Sequence, residues 1–396
     1  MTIPPETATV PRGAHAPRTI ALAGLAALAV AMGIGRFAFT PILPMMQQDV
    51  GLTVEGGGWL AAANYFGYLV GALSATLIRI PPRAAIRGGL ASIGVTTLAM
   101  GLTSQFSTWV ILRFAAGVAS AWVLISVSAW ALGRLAPLRR PLLNGAVFAG
   151  VGVGMTAAGL VCLALLFLRA HGADAWIALG LAALATTAIA WRIVGAGDDL
   201  PPPAHGDARA TRGVGWDAEA VRLILCYGAF GFGYIIPATF VPAMARQAIG
   251  DPAIFGWAWP VFGVAAAAST FVGALAPRVG GNRRLWMISH LVMACAVVLP
   301  IAVPGIVGII LAAVGVGGTF MVATMAGMQE ARLVRGVHAT GLMAALTSAF
   351  ALGQIAGPLL VSSLVGAGDG FRGPLALAAA VLVASAWALR GRPAPA

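Results

Sequence analysis

Two arginines lie inside long apolar stretches of the sequence: Arg36 within residues 19–46 and Arg113 within residues 108–132. If these stretches cross a bilayer, an arginine near the membrane centre costs about 2.5–3.5 kcal/mol, and such a residue faces a cavity or a partner. A guanidinium presents a planar fork of donors that suits a carboxylate or another anionic group. The alternative is a structural arginine that bonds to helix carbonyls or to polar side chains.

Tyrosine and amide side chains recur at helical spacing in other apolar stretches. Tyr227 and Tyr234 are seven residues apart and share one helix face. Asn64 and Tyr68 are four residues apart and also share a face. Such residues either bind a ligand or join helices to one another by hydrogen bonds, and the sequence allows both interpretations. The predicted substrate-binding residues are Arg36, Arg113, Tyr234, Tyr227, Asn64, Tyr68 and Gln354.

The acidic residues are informative because of where they fall. All twelve map to predicted tails, loops or helix ends: Glu6, Asp49, Glu55, Asp174, Asp198, Asp199, Asp207, Asp217, Glu219, Asp251, Glu330 and Asp369. No carboxylate therefore lies at the predicted centre of an apolar stretch, where many proton-coupled carriers have one. An anionic ligand would balance the charge of the two arginines. If protons are moved, the carrier is the ligand itself, Glu330 or a histidine.

Histidine and cysteine residues give no sign of a metal or redox site. His290 is the only histidine within a predicted helix, and we expect a structural role for it rather than proton relay. The cysteines, Cys162, Cys226 and Cys295, lie inside apolar stretches without CxxC spacing, which favours packing over disulfides or metal ligation. We therefore expect no catalytic residue, no metal and no cofactor.

The composition excludes a water-soluble enzyme. The 396 residues are 60% hydrophobic and 9% charged, with a mean hydropathy of +0.92, whereas a soluble domain has about 25% charged residues. Apolar stretches of about 20 residues recur along nearly the whole chain, which predicts a polytopic membrane protein within the lipid bilayer. The net charge of +12 comes from arginines that lie mostly in short loops, so we expect no nucleic-acid partner.

We predict twelve helical spans, and therefore both termini on one side of the membrane. The spans cover residues 19–46, 56–78, 86–104, 108–132, 142–168, 173–195, 219–246, 253–276, 285–303, 305–329, 340–366 and 371–390. With the N-terminus inside, the inner segments hold 19 arginines and the outer loops hold three, Arg169, Arg246 and Arg372. This distribution follows the positive-inside rule and predicts cytoplasmic termini in a plasma (inner) membrane.

The two halves of the chain are similar to each other. Residues 33–46 align with residues 231–244 at an offset of 198, which pairs Arg36 with Tyr234. Internal repeats are typical of transporters whose substrate site lies between the repeats. The predicted organisation is a disordered cytoplasmic tail (1–18), a six-helix half (19–195), a cytoplasmic linker (196–218), a second six-helix half (219–390) and a cytoplasmic tail (391–396).

Several segments resemble the major facilitator superfamily, and more narrowly its YbfB-like branch. They are GIGRFAFTPILP (33–44), GYLVGAL (67–73), YGAFGFGYIIPATFVPAMA (227–245) and GQIAGP (353–358), and the resemblance covers about residues 19–390. The superfamily's fourth-helix signature, Arg-x-x-x-Gly, begins here at Arg113. The resemblance implies an all-α polytopic fold with twelve transmembrane helices in two pseudo-symmetric six-helix halves. It also implies that helices one, four, seven and ten line a central cavity.

Two features of the superfamily are missing. The loop after the second helix has Ala75 where the superfamily has an aspartate, and the second copy of that loop has Pro277 there. Glu330 beside Arg332 is a candidate substitute for the missing acidic partner in the cytoplasmic gate. Helix five reads GAVFAGVGVGMTAAG (145–159), without the Gly-Pro of drug antiporters, which weakens an assignment as a drug/proton antiporter.

These observations predict a secondary active transporter that works by alternating access as a monomer. The expected substrate is a small organic anion or metabolite, held by Arg36 with help from Arg113 and Tyr234. The alternative is an exporter of lipophilic or cationic compounds, in which Arg36 is structural. A membrane enzyme would need a catalytic cluster of paired histidines, metal spacing or an intramembrane acid, which the sequence lacks. A channel or a receptor-like sensor would lack the saturable flux of a transporter.

Overall fold

The computed structural model describes residues 16–78, 80–135, 138, 140–194, 217–248, 256–276, 280–303, 305–364 and 372–390. The described residues form twelve long helices and no strand. Residues 1–15 of the predicted tail, residues 196–216 of the predicted linker (196–218) and the tail 391–396 lie outside the described residues. The helices are α1 (Pro17–Val50), α2 (Val54–Leu77), α3 (Pro82–Gly101), α4 (Phe106–Leu135), α5 (Pro141–Phe167), α6 (Gly172–Ile193), α7 (Ala218–Ala248), α8 (Ala258–Leu275), α9 (Gly281–Ala302), α10 (Ile306–Arg335), α11 (Ala339–Leu364) and α12 (Arg372–Ala388).

Helix length and composition agree with a membrane-spanning bundle. Eleven of the helices, α1 to α11, contain stretches long and apolar enough to cross a membrane. The twelfth is also apolar and has 17 described residues, which correspond to about 25 Å of helix at 1.5 Å per residue. The all-α polytopic fold that the sequence predicts is therefore confirmed.

Three helices run at least three residues past their predicted C-terminal ends. α1 ends at Val50, α4 at Leu135 and α10 at Arg335, rather than at the predicted residues 46, 132 and 329. Arg332 and Arg335 are therefore helical residues and not loop residues. A span predicted from hydropathy ends near the first charged side chain, because hydropathy falls there. The helix itself continues where its charged residues find partners. Arg335, for example, forms an ion pair with Asp217 at an N–O distance of 3.2 Å.

The helices pack in the same pairs in both halves. The first half pairs α1 with α5, α2 with α4 and α3 with α6, and the second pairs α7 with α11, α8 with α10 and α9 with α12. Each pair in the first half thus has a counterpart six helices later, as two parallel repeats require. The halves contact each other along α5 and α8, and again along α2 and α11.

Glycines bring helix backbones into direct contact. Where α5 crosses α8, Gly152 lies against the backbone of Gly263 and Ala267. Where α1 crosses α5, Gly33 lies against the backbone of Gly154. Helices in lipid gain little from the hydrophobic effect when they associate, so this close van der Waals packing is a main source of their attraction.

The middle of α1 departs from α-helical geometry. Residues Ala29–Phe37 form a π-helix that is flanked by α-helical turns on both sides. Such turns are rare and are frequent at functional sites. Ser120 of α4 donates a hydrogen bond of 2.7 Å to the carbonyl of Ala31, so a neighbouring helix supports the irregular segment. Arg36 lies in the last turn of this segment.

Charged residues form a cluster at the end of the bundle where α4 and α10 finish and α7 and α9 begin. We call it the arginine-rich end, and the opposite end the arginine-poor end. Arg283 of α9 binds both Glu219 of α7 and Glu330 of α10. Glu330, the candidate substitute for the missing acidic residue, thus pairs with Arg283 at an Nε–Oε1 distance of 2.5 Å. The guanidinium of Arg332 lies beside Gly133 of α4.

Glu330→Gln is expected to lower the free energy of unfolding by about 2 kcal/mol, because it removes one carboxylate from a largely buried ion-pair network. The side chains of Arg283 and Glu330 are 12% and 8% exposed, so water cannot replace the lost partner. The melting temperature of the detergent-purified protein measures the effect. Glu55→Gln is the matched control, because Glu55 is exposed. Equal melting temperatures for the two variants would show that the network contributes nothing to stability.

Candidate functional site

Arg36 is buried between the two halves of the bundle. Its side chain is 3% exposed, and its Nη2 donates a hydrogen bond to Oε1 of Gln354 on α11. Gln354 is fully buried. The arginine belongs to the first half and its partner to the second, so this hydrogen bond links the two halves.

Tyrosines surround the Arg36 guanidinium. Its central carbon lies 3.8 Å from the ring centroid of Tyr68 and 5.3 Å from that of Tyr65, which places both rings within cation–π distance. Tyr234 of α7 is a further electrostatic neighbour of Arg36. Tyr227 in turn interacts with Tyr68 across the two halves. Three of the protein's four tyrosines therefore lie around Arg36, and Tyr227 lies further along α7.

The site contains buried polar atoms that lack partners. Nε and Nη1 of Arg36 and Nε2 of Gln354 have no hydrogen-bond partner among the described residues. The same is true of Oδ1 of Asn64. Buried polar groups in proteins are nearly always hydrogen-bonded, and an unsatisfied one costs about 1–3 kcal/mol. Three of these four atoms are donors, which a ligand with acceptor atoms would satisfy.

Arg113 lies close to Arg36 but its donors face the backbone of α1. Its Nη1 and Nη2 donate to the carbonyls of Gly35 and Arg36, at 3.2 and 3.3 Å, and its guanidinium carbon lies 4.8 Å from the ring of Phe39. Asn64 of α2 donates to the Arg113 carbonyl at 2.9 Å. Arg113 and Asn64 thus connect α1, α4 and α2. This geometry agrees with a structural role for both residues, in which they join helices through backbone carbonyls.

Arg113→Gln is expected to lower the free energy of unfolding by about 2 kcal/mol, because bonds to charged donors contribute about 1.5–3 kcal/mol each and a glutamine reaches at most one of the two carbonyls. The melting temperature in detergent measures the loss. Arg192→Gln is the matched control, because Arg192 is an exposed residue of α6. A variant that melts with the wild type would contradict a supporting role for Arg113.

The two tyrosines of α7 have different surroundings. Tyr234 stacks on Phe320 of α10, with ring centroids 5.0 Å apart. Tyr227 is two turns nearer the arginine-rich end and packs edge-on against Trp286, at 5.6 Å. Behind Trp286 lies His290, whose Nε2 accepts a hydrogen bond of 2.8 Å from the indole. His290 is buried within the second half and makes no hydrogen bond to Arg36.

A cavity of about 360 Å³ lies between the halves toward the arginine-poor end. Five helices line it, through residues that include Thr40, Pro44, Leu163, Pro237, Trp259 and Val316. Phe320 lies next to the cavity wall, since its ring is 5.6 Å from Phe262, which lines the cavity, and 6.1 Å from Phe37. Phe37 also lies 5.7 Å from the Arg36 guanidinium carbon, so these aromatic side chains, which we call the aromatic layer, connect the cavity wall with Arg36. Among the described residues, no cluster of three or more metal-ligating side chains occurs.

The structure brings four of the predicted site residues together and places Tyr65 beside them. Tyr68, Tyr234 and Gln354 lie around Arg36. The four-residue spacing of Asn64 and Tyr68 does not include Tyr65, which is adjacent to Asn64 and lies on another part of the α2 face. Its spacing of three residues from Tyr68 is a signal that could have identified it, because residues three apart are neighbours on a helix surface.

Comparisons with known proteins agree with this architecture. The family model described as "Uncharacterised MFS-type transporter YbfB" matches residues 28–390, which is nearly the whole chain. The chain is also similar to the "Uncharacterized MFS-type transporter YceJ" of Bacillus subtilis (strain 168), with 32% identity over 94 residues. That match covers 23% of this chain and 24% of the relative, so the chain matches about a quarter of the relative's length. The resemblance noted in the sequence is confirmed: the chain belongs to the YbfB-like family of major facilitator superfamily transporters.

Proposed function

We propose that the protein is a secondary active transporter of small organic anions and that Arg36 binds the anionic group of the substrate. The observation that carries this proposal is the burial of Arg36 between the halves with Nε and Nη1 unpaired. A buried charge is unfavourable unless it is paired and hydrogen-bonded. No described carboxylate forms an ion pair with it, so a substrate anion supplies the missing partner.

Gln354 supports the proposal because its side-chain oxygen binds Arg36 as a carboxylate oxygen of the substrate would. Its Oε1 accepts a hydrogen bond from Nη2 of Arg36. A carboxylate that displaces Gln354 engages Nη2 together with a second nitrogen of Arg36, in the bidentate geometry that makes such pairs strong. Substrate binding then replaces a hydrogen bond between the halves, which couples occupancy of the site to the relative position of the halves.

Alternating access is supported by the difference between the two ends of the bundle. Toward the arginine-poor end, the cavity described above separates the halves. At the arginine-rich end, Arg332 of α10 lies beside Gly133 of α4, and the nearby Trp130 and Met328 are buried. A carrier in one of its two access states has this asymmetry, because one pathway opens while the other is closed.

The arginine distribution supports an orientation for the bundle. The 19 arginines of the inner segments against three in the outer loops favour a cytoplasmic arginine-rich end. Both termini are then cytoplasmic, and the cavity lies toward the outer face of the membrane.

The second candidate function is export of lipophilic compounds, which the apolar lining of the cavity favours. In that case Arg36 has a structural role and its unpaired nitrogens remain unexplained. Cationic substrates fit less well, because a cation beside Arg36 would add like charge to a buried site. The two candidates therefore differ in whether ligand binding depends on a negative charge.

A ligand screen on the purified protein tests the proposal. The melting temperature is measured in detergent with organic anions, organic cations and neutral metabolites. A ligand at 100 times its dissociation constant stabilises the protein by about 2.7 kcal/mol, which is detectable. We expect at least one organic anion to stabilise the protein. Stabilisation by lipophilic cations or neutral compounds, and by no anion, would favour the exporter.

Flux measurements separate a transporter from a channel. The protein is reconstituted into liposomes, and uptake of the stabilising anion is followed with increasing external concentration. We expect the rate to saturate, and to rise when the liposomes are preloaded with the same anion. A rate that stays linear to high concentration would contradict a carrier mechanism.

A further inference from the structure

We propose that the substrate is an aromatic monocarboxylate, with its single charge on Arg36 and its ring against the aromatic layer that links Arg36 to the wall of the apolar cavity. This inference rests on the proposed transport of organic anions. It adds the number of charges and the nature of the uncharged part of the molecule.

Arg36 has a pair of free donors for a ligand, because its Nε and Nη1 are unpaired. Both terminal nitrogens of Arg113 already donate to the carbonyls of Gly35 and Arg36, which leaves Nε as its one unpaired nitrogen. Among the described arginines, Arg36 and Arg113 are the buried ones. A second carboxylate or a phosphate dianion would therefore find no second bidentate partner in the site, and burial of a poorly paired charge is unfavourable. The available donors favour a monoanion.

The walls of the site are aromatic. Tyr68 covers the Arg36 guanidinium at 3.8 Å, and Phe37 lies 5.7 Å from it. Phe320 joins this group to the second half, at 6.1 Å from Phe37 and 5.0 Å from Tyr234. Aromatic pairs prefer offset-stacked or edge-on arrangements at such separations. A planar ring attached to a carboxylate can enter this layer with the same geometry, whereas a hydroxylated chain would lose its bonds to water there.

The cavity next to the aromatic layer is small and apolar, which suits an aromatic monocarboxylate. Its volume of about 360 Å³ is at the low end of the range of about 300–1,000 Å³ for small-molecule sites, which favours a compact ligand. Its walls are formed largely by proline, aliphatic and aromatic residues, with Thr40 and Gln48 among the few polar ones. A substrate that approaches Arg36 from the arginine-poor end passes this apolar surface, which favours a molecule that is uncharged over most of its area.

A matched ligand series tests the inference. Dissociation constants of the detergent-purified protein are measured by thermal-shift titration with benzoate, acetate, phthalate and benzamide. Acetate lacks the ring, phthalate has a second carboxylate, and benzamide lacks the charge. We expect benzoate to bind at least tenfold more tightly than each of the others, and to lose this advantage in Arg36→Gln.

The possible results distinguish this inference from the proposed function. Arg36-dependent binding of acetate or phthalate that is as tight as that of benzoate would overturn the aromatic monocarboxylate and leave anion transport in place. Absence of Arg36-dependent binding for every organic anion in the wider screen would overturn both. Benzamide binding as tightly as benzoate would show that the charge is not recognised.

A change in the aromatic layer tests the placement of the ring without altering Arg36. Phe320 contacts Phe37 and Tyr234, and Phe320→Leu removes an aromatic surface on which a bound ring would pack. We expect benzoate binding to weaken at least fivefold relative to acetate binding. Phe271→Leu is the matched control, because Phe271 is 40% exposed. Equal benzoate affinities in the two variants would overturn the assigned position of the ring.

Discussion

Replacing Arg36 by glutamine is expected to weaken binding of the organic anion at least 100-fold. The variant loses the charge and the fork of donors, while glutamine retains a side chain that can still contact Gln354. A hydrogen bond to a charged group contributes about 1.5–3 kcal/mol, and two of them correspond to roughly 100-fold or more, since about 1.4 kcal/mol is a factor of ten. Thermal-shift titration with the stabilising anion measures the loss.

The same variant is expected to be at least as stable as the wild type without ligand. Arg36 is 3% exposed and has two unpaired nitrogens, so its burial is unfavourable in the empty protein. Glutamine removes that cost and can form an amide–amide hydrogen bond with Gln354. A melting temperature equal to or above that of the wild type, together with lost anion binding, separates a ligand-binding arginine from a structural one. A large fall in melting temperature would favour the structural role.

Arg36→Lys separates the contribution of the positive charge to anion binding from that of the planar guanidinium geometry. Lysine retains the positive charge but presents a single ammonium instead of a planar fork. We expect anion affinity between those of the wild type and Arg36→Gln. Anion affinity in Arg36→Gln that equals the wild-type value, in a variant that melts normally, would refute the proposed role of Arg36.

The parts of the fold and site that could be predicted are those that leave a local signal. Apolar stretches of membrane-spanning length identify helices, and a constant offset of 198 residues identifies the repeat. Arg36 is conspicuous because a charged residue in an apolar stretch is rare. The repeat predicts a site between the two halves. Polar residues of both halves, such as Arg36 and Gln354, are therefore expected to lie near each other.

Other features depend on contacts between distant residues and have no such signal. Arg283 and Glu330 are 47 positions apart and meet only because α9 packs on α10. The absence of the superfamily's aspartate at Ala75 therefore does not predict whether ion pairs form at the arginine-rich end of the second half. Likewise, the carbonyls that Arg113 binds are presented by the π-helix at Ala29–Phe37, whose geometry is not encoded in hydropathy.

Gly33→Ala is expected to lower the free energy of unfolding by about 3 kcal/mol and to weaken anion binding. A Cβ on Gly33 would overlap backbone atoms of Gly154 and Met155 on α5. Overpacking in a core costs typically about 1–3 kcal/mol, and the upper value is expected here because backbone cannot rotate away as a side chain can. Separation of α1 from α5 also moves the π-helical segment that holds Arg36, three residues further on.

Gly318→Ala makes the same chemical change in a helix where there is room for it. No heavy atom lies within 4 Å of a Cβ built on Gly318 of α10, and alanine is favoured over glycine in a helix by about 1 kcal/mol. This control is therefore expected to melt at or above the wild-type temperature and to bind the anion normally. Since the two substitutions differ only in what surrounds the added methyl group, a difference between them measures the α1–α5 contact. Equal melting temperatures would show that this contact can widen freely, and the position of Arg36 would then not depend on it.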